Sequence, residues 1–242
     1  YLTSPNEKLG YLQNLGVDYV VTLEFNQDLG SMHASNFIEK LSRHLGMQKL
    51  WVGQGFALGK GREGNTSYLQ KISHAYHYQL NIIDPIQIGE RNISSTLIRD
   101  LLRKGSVSEV KQFLGRNYSI TGNIIHGDQR GRVLGFPTAN LETTKQRLIP
   151  ANGIYATRAK LKNKTYLSVT NIGIRPTFQT EDPTPRVETH ILDFDQDVYN
   201  AELTVEFIEY LRPEIRYTNL QDLLDQIHLD VEKSREVLTH ES

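Results

Sequence analysis

The chain has 242 residues, with 27 Lys+Arg against 28 Asp+Glu and a formal net charge of −1; that length allows one or two domains. The balance argues against a protein that coats nucleic acid or an anionic membrane, since both need a concentrated positive field. Without cysteine, disulfides, thiolate nucleophiles and cysteine-ligated metal centres are excluded. No apolar run exceeds three residues, far below the about 20 of a membrane span, so the expectation is a globular, cytoplasmic protein.

Short strand-like runs alternate with amphipathic helices through the first 115 residues, as in a parallel α/β layer. Ser4, Pro5 and Glu7 have the pattern of a capping box, and Leu9, Leu12 and Leu15 follow at helical spacing. Residues 17–25 read as a strand, 36–45 as a helix closed by Gly46, and 49–52 as another strand. A glycine-rich loop (53–64), a helix (67–76) and a strand (79–84) come next. Ser94 or Ser95 caps a helix carrying Leu97, Ile98, Leu101 and Leu102, and a last short helix spans 107–114. From Tyr118 the pattern changes to β-rich runs at 119–125, 154–161, 166–171, 186–194 and 202–211, with Asn163 marking a hairpin. Strands without intervening helices favour an antiparallel sheet or small barrel. One long helix closes the chain, with Leu220, Leu223, Leu224, Ile227 and Val231 on a stripe. The domain boundary is expected near 115–118, giving domains 1–116 and 117–242.

Four segments carry candidate chemistry. Gly122, Gly127, Gly131 and Gly135 are interleaved with Asp128, Arg130 and Arg132, which supplies bare amides and guanidinium forks suited to a polyphosphate. The same residues also suit a solvated hairpin. Thr138 and Asn140 lie two apart after Pro137, so in extended chain their oxygens share a side; hard Mg²⁺ accepts such ligands when phosphates supply the charge. In 187–194, alternation puts Glu188 on a face with His190, Leu192 and Phe194, either ion-paired or poised as a base. Ser94, Ser95 and Thr96, with Arg99 one turn on, suit a phosphate at a helix N-terminus and equally suit plain capping.

Taken together and in order, these segments resemble the bacterial bifunctional riboflavin kinase/FMN adenylyltransferase (FAD synthetase) family. The kinase half matches through the glycine-rich segment ending Leu134-Gly135-Phe136-Pro137-Thr138-Ala139-Asn140-Leu141, through Gly153-Ile154-Tyr155, and through 171–178. It continues through 188–194 with Tyr199 and Leu211-Arg212-Pro213-Glu214. The resemblance implies a six-stranded Greek-key barrel with a C-terminal helix that transfers the ATP γ-phosphate to the riboflavin 5′-hydroxyl, giving FMN. It further implies that Gly127, Asp128, Arg130, Gly131 and Arg132, with Asn140, wrap the nucleotide, that Thr138 and Asn140 hold Mg²⁺, and that Glu188 takes the hydroxyl proton.

The first half resembles the later part of the family's Rossmann-like adenylyltransferase module, through Leu2-Thr3, Glu7-Lys8, Gly16-Val17-Asp18, Val52-Gly53 and Ile93-Ser94-Ser95-Thr96 with Arg99. No His-x-Gly-His motif occurs, and Gly53-Gln54-Gly55-Phe56-Ala57-Leu58-Gly59 stands where the family shows Gly-x-Asp-Phe-x-Phe-Gly. The expectation is therefore kinase activity alone if these residues are the whole protein, and FAD synthesis from FMN and ATP as well if about 60 to 80 residues, judged by the family's length, precede them. The competing expectations are a catalytically inactive flavin- or nucleotide-binding regulator and a nucleic-acid binder using Arg130, Arg132, Lys145 and Arg147; the charge balance disfavours the latter. No feature specifies an oligomeric state.

Overall fold

The computed structural model describes residues 1–127, 131, 134–174 and 185–240, which form two compact units. Asp128, Arg130, Arg132 and the 175–178 part of the third segment lie outside the described residues. One unit is Leu9–Ile93; the other joins Tyr1–Lys8 to the chain from Ser94 onward.

The chain opens on α1 (Pro5–Asn14), whose start is the expected capping box: Ser4 N–H donates to the Glu7 carboxylate at 2.7 Å and Glu7 N–H to Ser4 Oγ at 3.2 Å. The Leu9–Ile93 unit continues with α2 (Gln27–Ser31), α3 (Ala34–Leu45), β1 (Lys49–Gly53), β2 (Ala57–Leu58), β3 (Gly64–Asn65), α4 (Thr66–Ile72), β4 (Gln79–Ile83), β5 (Gln87–Ile88) and β6 (Arg91–Asn92). β1 and β4 pair in parallel, and Ile38, Leu69 and Tyr78 form the buried centre beside them. α3 starts two residues before the expected position because Glu63, distant in sequence, accepts from Ala34 N–H at 2.8 Å. Residues 17–25, expected as a strand, form none. A β pattern becomes a strand only where a neighbour completes its ladder, and here Tyr19 and Phe25 stand 89% and 82% exposed.

In the second unit, α5 (Ser95–Arg103) and α6 (Val107–Leu114) precede β7 (Tyr118–Ile125), β8 (Ala139–Leu141), β9 (Gly153–Leu161), β10 (Lys164–Gly173), β11 (Arg186–Ile191) and β12 (Glu202–Arg212). These six strands close into an antiparallel barrel in the order β10-β11-β8-β7-β12-β9. α6 packs on β7 and β12. The hairpin at Lys162-Asn163 joins β9 to β10, with Lys162 in the left-handed region (φ 55°). Inside, aliphatic and aromatic side chains such as Ile120, Tyr155, Leu203 and Phe207 are fully buried. A chain of hydroxyls, Ser168 to Thr157 (2.8 Å), Thr157 to Thr170 (2.7 Å) and Thr170 to Thr189 (3.0 Å), satisfies the buried polar groups among them. The C-terminal helix Leu220–His240 lies on the outside, against β9, β10 and β12.

Arg147 is not a surface cation. Its side chain is 8% exposed, ion-paired with Glu7 and donating to the Ser119 carbonyl, so Arg147 itself is not available to a basic patch.

Candidate active site

The alternation along β11 sends Val187, Thr189 and Ile191 into the barrel and leaves Glu188 and His190 half-buried on the outer wall. Glu188 stands directly opposite Asn171 on β10 and Asn140 on β8, so the three share that outer face. Two cavities adjoin these strands. A cleft of about 370 Å³ is lined by Gly127, Thr138, Asn140, Thr189 and the 194–199 segment. A chamber of about 240 Å³ lies between the wall and the C-terminal helix, lined by Gly131, Phe136, Asn171, Glu188, Leu223 and Ile227 among others. Thr138 lines both, so cleft and chamber border on the same residue.

Local structure holds Thr138 there. His190 Nδ1 lies 2.8 Å from the Pro137 carbonyl; a carbonyl only accepts, so Nδ1 carries the proton. Phe136 meets His190 and His228 edge-on, with centroids 5.5 and 5.0 Å apart. Its N–H donates to the Gly131 carbonyl at 2.8 Å. At the cleft, Gly127 is required by close approach, since a β-carbon there would collide with the Asn140 carboxamide. The His126 and Tyr199 rings stack 3.8 Å apart beside it.

On the far side of the chamber, Arg212 at the end of β12 forks onto Asp230 of the C-terminal helix, at 2.8 Å from Nε and 2.7 Å from Nη2. Asp230 thereby holds the Arg212 guanidinium more firmly ionised than usual. Gln226 adds a third hydrogen bond to Asp230 at 3.1 Å. This fastens the helix whose apolar stripe, Leu223, Ile227 and Val231, roofs the chamber.

The structure thus brings together Gly127, Gly131, Thr138, Asn140 and Glu188. It does not bring Ser94, Ser95, Thr96 or Arg99 to either cavity. Ser94 serves as the cap of α5, its Oγ accepting from Leu97 N–H at 3.2 Å, and Ser95 and Thr96 are exposed. Sequence reasoning assigned no role to Asp230, although an acid three residues after Ile227 sits on the apolar stripe, and it missed the His190 contact to Pro137.

The family model described as riboflavin kinase matches residues 114–238, and that described as FAD synthetase matches residues 1–97. Proteins named bifunctional riboflavin kinase/FMN adenylyltransferase are similar: that of Listeria monocytogenes is 31% identical over 97% of this chain and 74% of its own length. That of Escherichia coli K12 is 36% identical over 97% of this chain and 75% of its own. A crystal structure from Streptococcus pneumoniae, named as a macrolide-efflux protein, matches with a TM-score of 0.88 at 26% identity, covering 97% of this chain and 75% of that one. Among the described residues here no helix is long and apolar enough to cross a membrane.

Proposed function

This chain belongs to the bifunctional riboflavin kinase/FMN adenylyltransferase family, and on that premise we propose that its barrel domain, residues 117–242, phosphorylates riboflavin. The observation that carries the reading is the junction at Thr138: a cleft with Asn140 on one side and a chamber with Glu188 on the other. ATP occupies the cleft, its phosphates against Gly127; Asp128, Arg130, Gly131 and Arg132 are assigned to the nucleotide on the family resemblance. Riboflavin occupies the chamber beneath the C-terminal helix.

The riboflavin 5′-hydroxyl oxygen attacks the γ-phosphorus, the bond from that phosphorus to the β-bridging oxygen breaks, and ADP leaves. The hydroxyl proton passes to the Glu188 carboxylate, and the products are FMN and ADP. Such transfers depend mainly on in-line positioning and charge neutralisation, so two cavities that border on one residue suit the reaction. Thr138 and Asn140 offer neutral hard oxygens, with Asp195 and Asp197 lining the same cleft, a donor set that would suit Mg²⁺. Bound there, Mg²⁺ would neutralise phosphate charge.

For the domain of residues 1–116 we assign the family's second activity, FMN and ATP to FAD, to chains that carry its His-x-Gly-His motif, with Ser94, Ser95, Thr96 and Arg99 on the nucleotide side. The cytoplasm, which supplies ATP, is the proposed location. Thr138, Asn140 and Glu188 around adjacent cavities favour turnover over an inactive flavin-binding regulator. Incubation with riboflavin, ATP and Mg²⁺, followed by chromatography, tests the reading: FMN with one ADP per FMN is expected, and a folded sample that makes none overturns it.

A further inference from the structure

Two polar groups in the chamber are left over by the reaction as described. Asn171 Oδ1 is buried and accepts no hydrogen bond, and the Tyr217 hydroxyl is likewise buried and unpartnered; both residues line the chamber. Folded proteins rarely leave buried polar atoms unmatched, so an orphaned acceptor on a cavity wall marks where a ligand brings a donor. The donor follows from position. Asn171 is the direct cross-strand neighbour of Glu188, and such neighbours keep their β-carbons about 5 Å apart. Hydroxyls on adjacent carbons can each reach one of two side chains so spaced.

We propose that Asn171 is a specificity-determining residue, whose Oδ1 accepts a hydrogen bond from the ribityl 4′-hydroxyl while Glu188 receives the 5′-hydroxyl. The site then reads a vicinal diol, not merely a terminal alcohol, and uses the first hydroxyl to aim the second. This inference rests on the riboflavin kinase reading. A site built to bond a substrate hydroxyl rejects the analogue without it, because its own polar group is left unpaired. The Tyr217 hydroxyl is a second buried, unpartnered polar group lining the same chamber.

The test is a cycle between residue and substrate. Wild type and Asn171→Ala are each assayed with riboflavin and with 4′-deoxyriboflavin, which keeps the 5′-hydroxyl, and kcat/KM is compared. Wild type should lose roughly ten- to hundredfold on the deoxy substrate, the range for one hydrogen bond to a buried group. Asn171→Ala should lose a similar factor on riboflavin and then treat both substrates within about threefold of each other. Losses that multiply, with the variant discriminating as wild type does, overturn the proposal. So does a wild type that uses both substrates equally, a result that needs no variant. Should Asn171→Ala fail to fold, Asn171→Val, which suits a strand and also lacks the acceptor, replaces it. If no FMN forms from riboflavin, the kinase reading fails separately. The same four-way comparison by quenching of flavin fluorescence then decides the Asn171 contact, with coupled affinities supporting it and independent ones overturning it.

Discussion

Replacing Asp230 by alanine should loosen the roof of the chamber. Asp230 and Arg212 have side chains only 8% and 17% exposed, and two charge-assisted hydrogen bonds join them. Removing the acid leaves a largely buried guanidinium without its counter-charge, which typically costs about 3 to 5 kcal/mol. Arg212 keeps its bond to the Pro213 carbonyl at 3.0 Å and a little solvent, so the low end, about 3 kcal/mol, applies. At roughly 2 to 4 °C per kcal/mol for a chain of this size, Tm should fall by about 6 to 12 °C. Thermal unfolding followed by circular dichroism measures it, and the KM for riboflavin should rise several-fold as the helix loosens. The double variant Arg212→Met/Asp230→Leu, which removes both charges and keeps apolar bulk, should recover most of the loss. A drop in Tm under about 2 °C for Asp230→Ala would refute the view that this pair fastens the helix.

Glu188→Gln should lower kcat by roughly 10²- to 10⁴-fold, the usual yield of a general base, with little change in the KM for riboflavin; steady-state kinetics on both substrates would read it. Gly127→Ala drives a methyl group into the Asn140 carboxamide and should raise the KM for ATP and the Mg²⁺ requirement together, seen in an Mg²⁺ titration at fixed ATP. Burial pushes the Tyr118 pKa up to about 12, so the folded state holds the proton longer than the unfolded chain. Its contribution is fully present below about pH 10 and is lost as pH rises toward 12. Tyr118→Phe should move alkaline unfolding to higher pH while losing about 1 kcal/mol near neutrality with the bond to the Leu148 carbonyl; denaturant melts at pH 7 and 11 check both signs.

The barrel was legible where local pattern and packing agree. Alternation on β11 put Glu188 and His190 together on one face, and the stripe Leu223, Ile227 and Val231 marked the surface that covers the chamber. β8, three residues long, carries too short a pattern for periodicity; the resemblance, not the alternation, supplied the sixth strand. Residues 17–25 misled because strand character in sequence says nothing of whether a partner strand is beside it. At the site, residue types pointed to Thr138, Asn140 and Glu188, but their meeting depends on cross-strand register, which the sequence does not display. Ser94 reads alike as cap and as phosphate ligand, and the hydrogen bond to Leu97 shows the cap. Arg147 looked like surface charge only because Glu7, 140 residues away, is invisible as its partner from local pattern.

A crystal structure of the chain soaked with ADP, Mg²⁺ and FMN examines the junction itself. The account predicts ADP in the cleft beside Asn140 and Gly127, the flavin ring beneath the C-terminal helix, and the FMN phosphate lying next to Thr138 with its ester oxygen facing Glu188. Nucleotide and flavin bound in places that do not meet at Thr138 would contradict it.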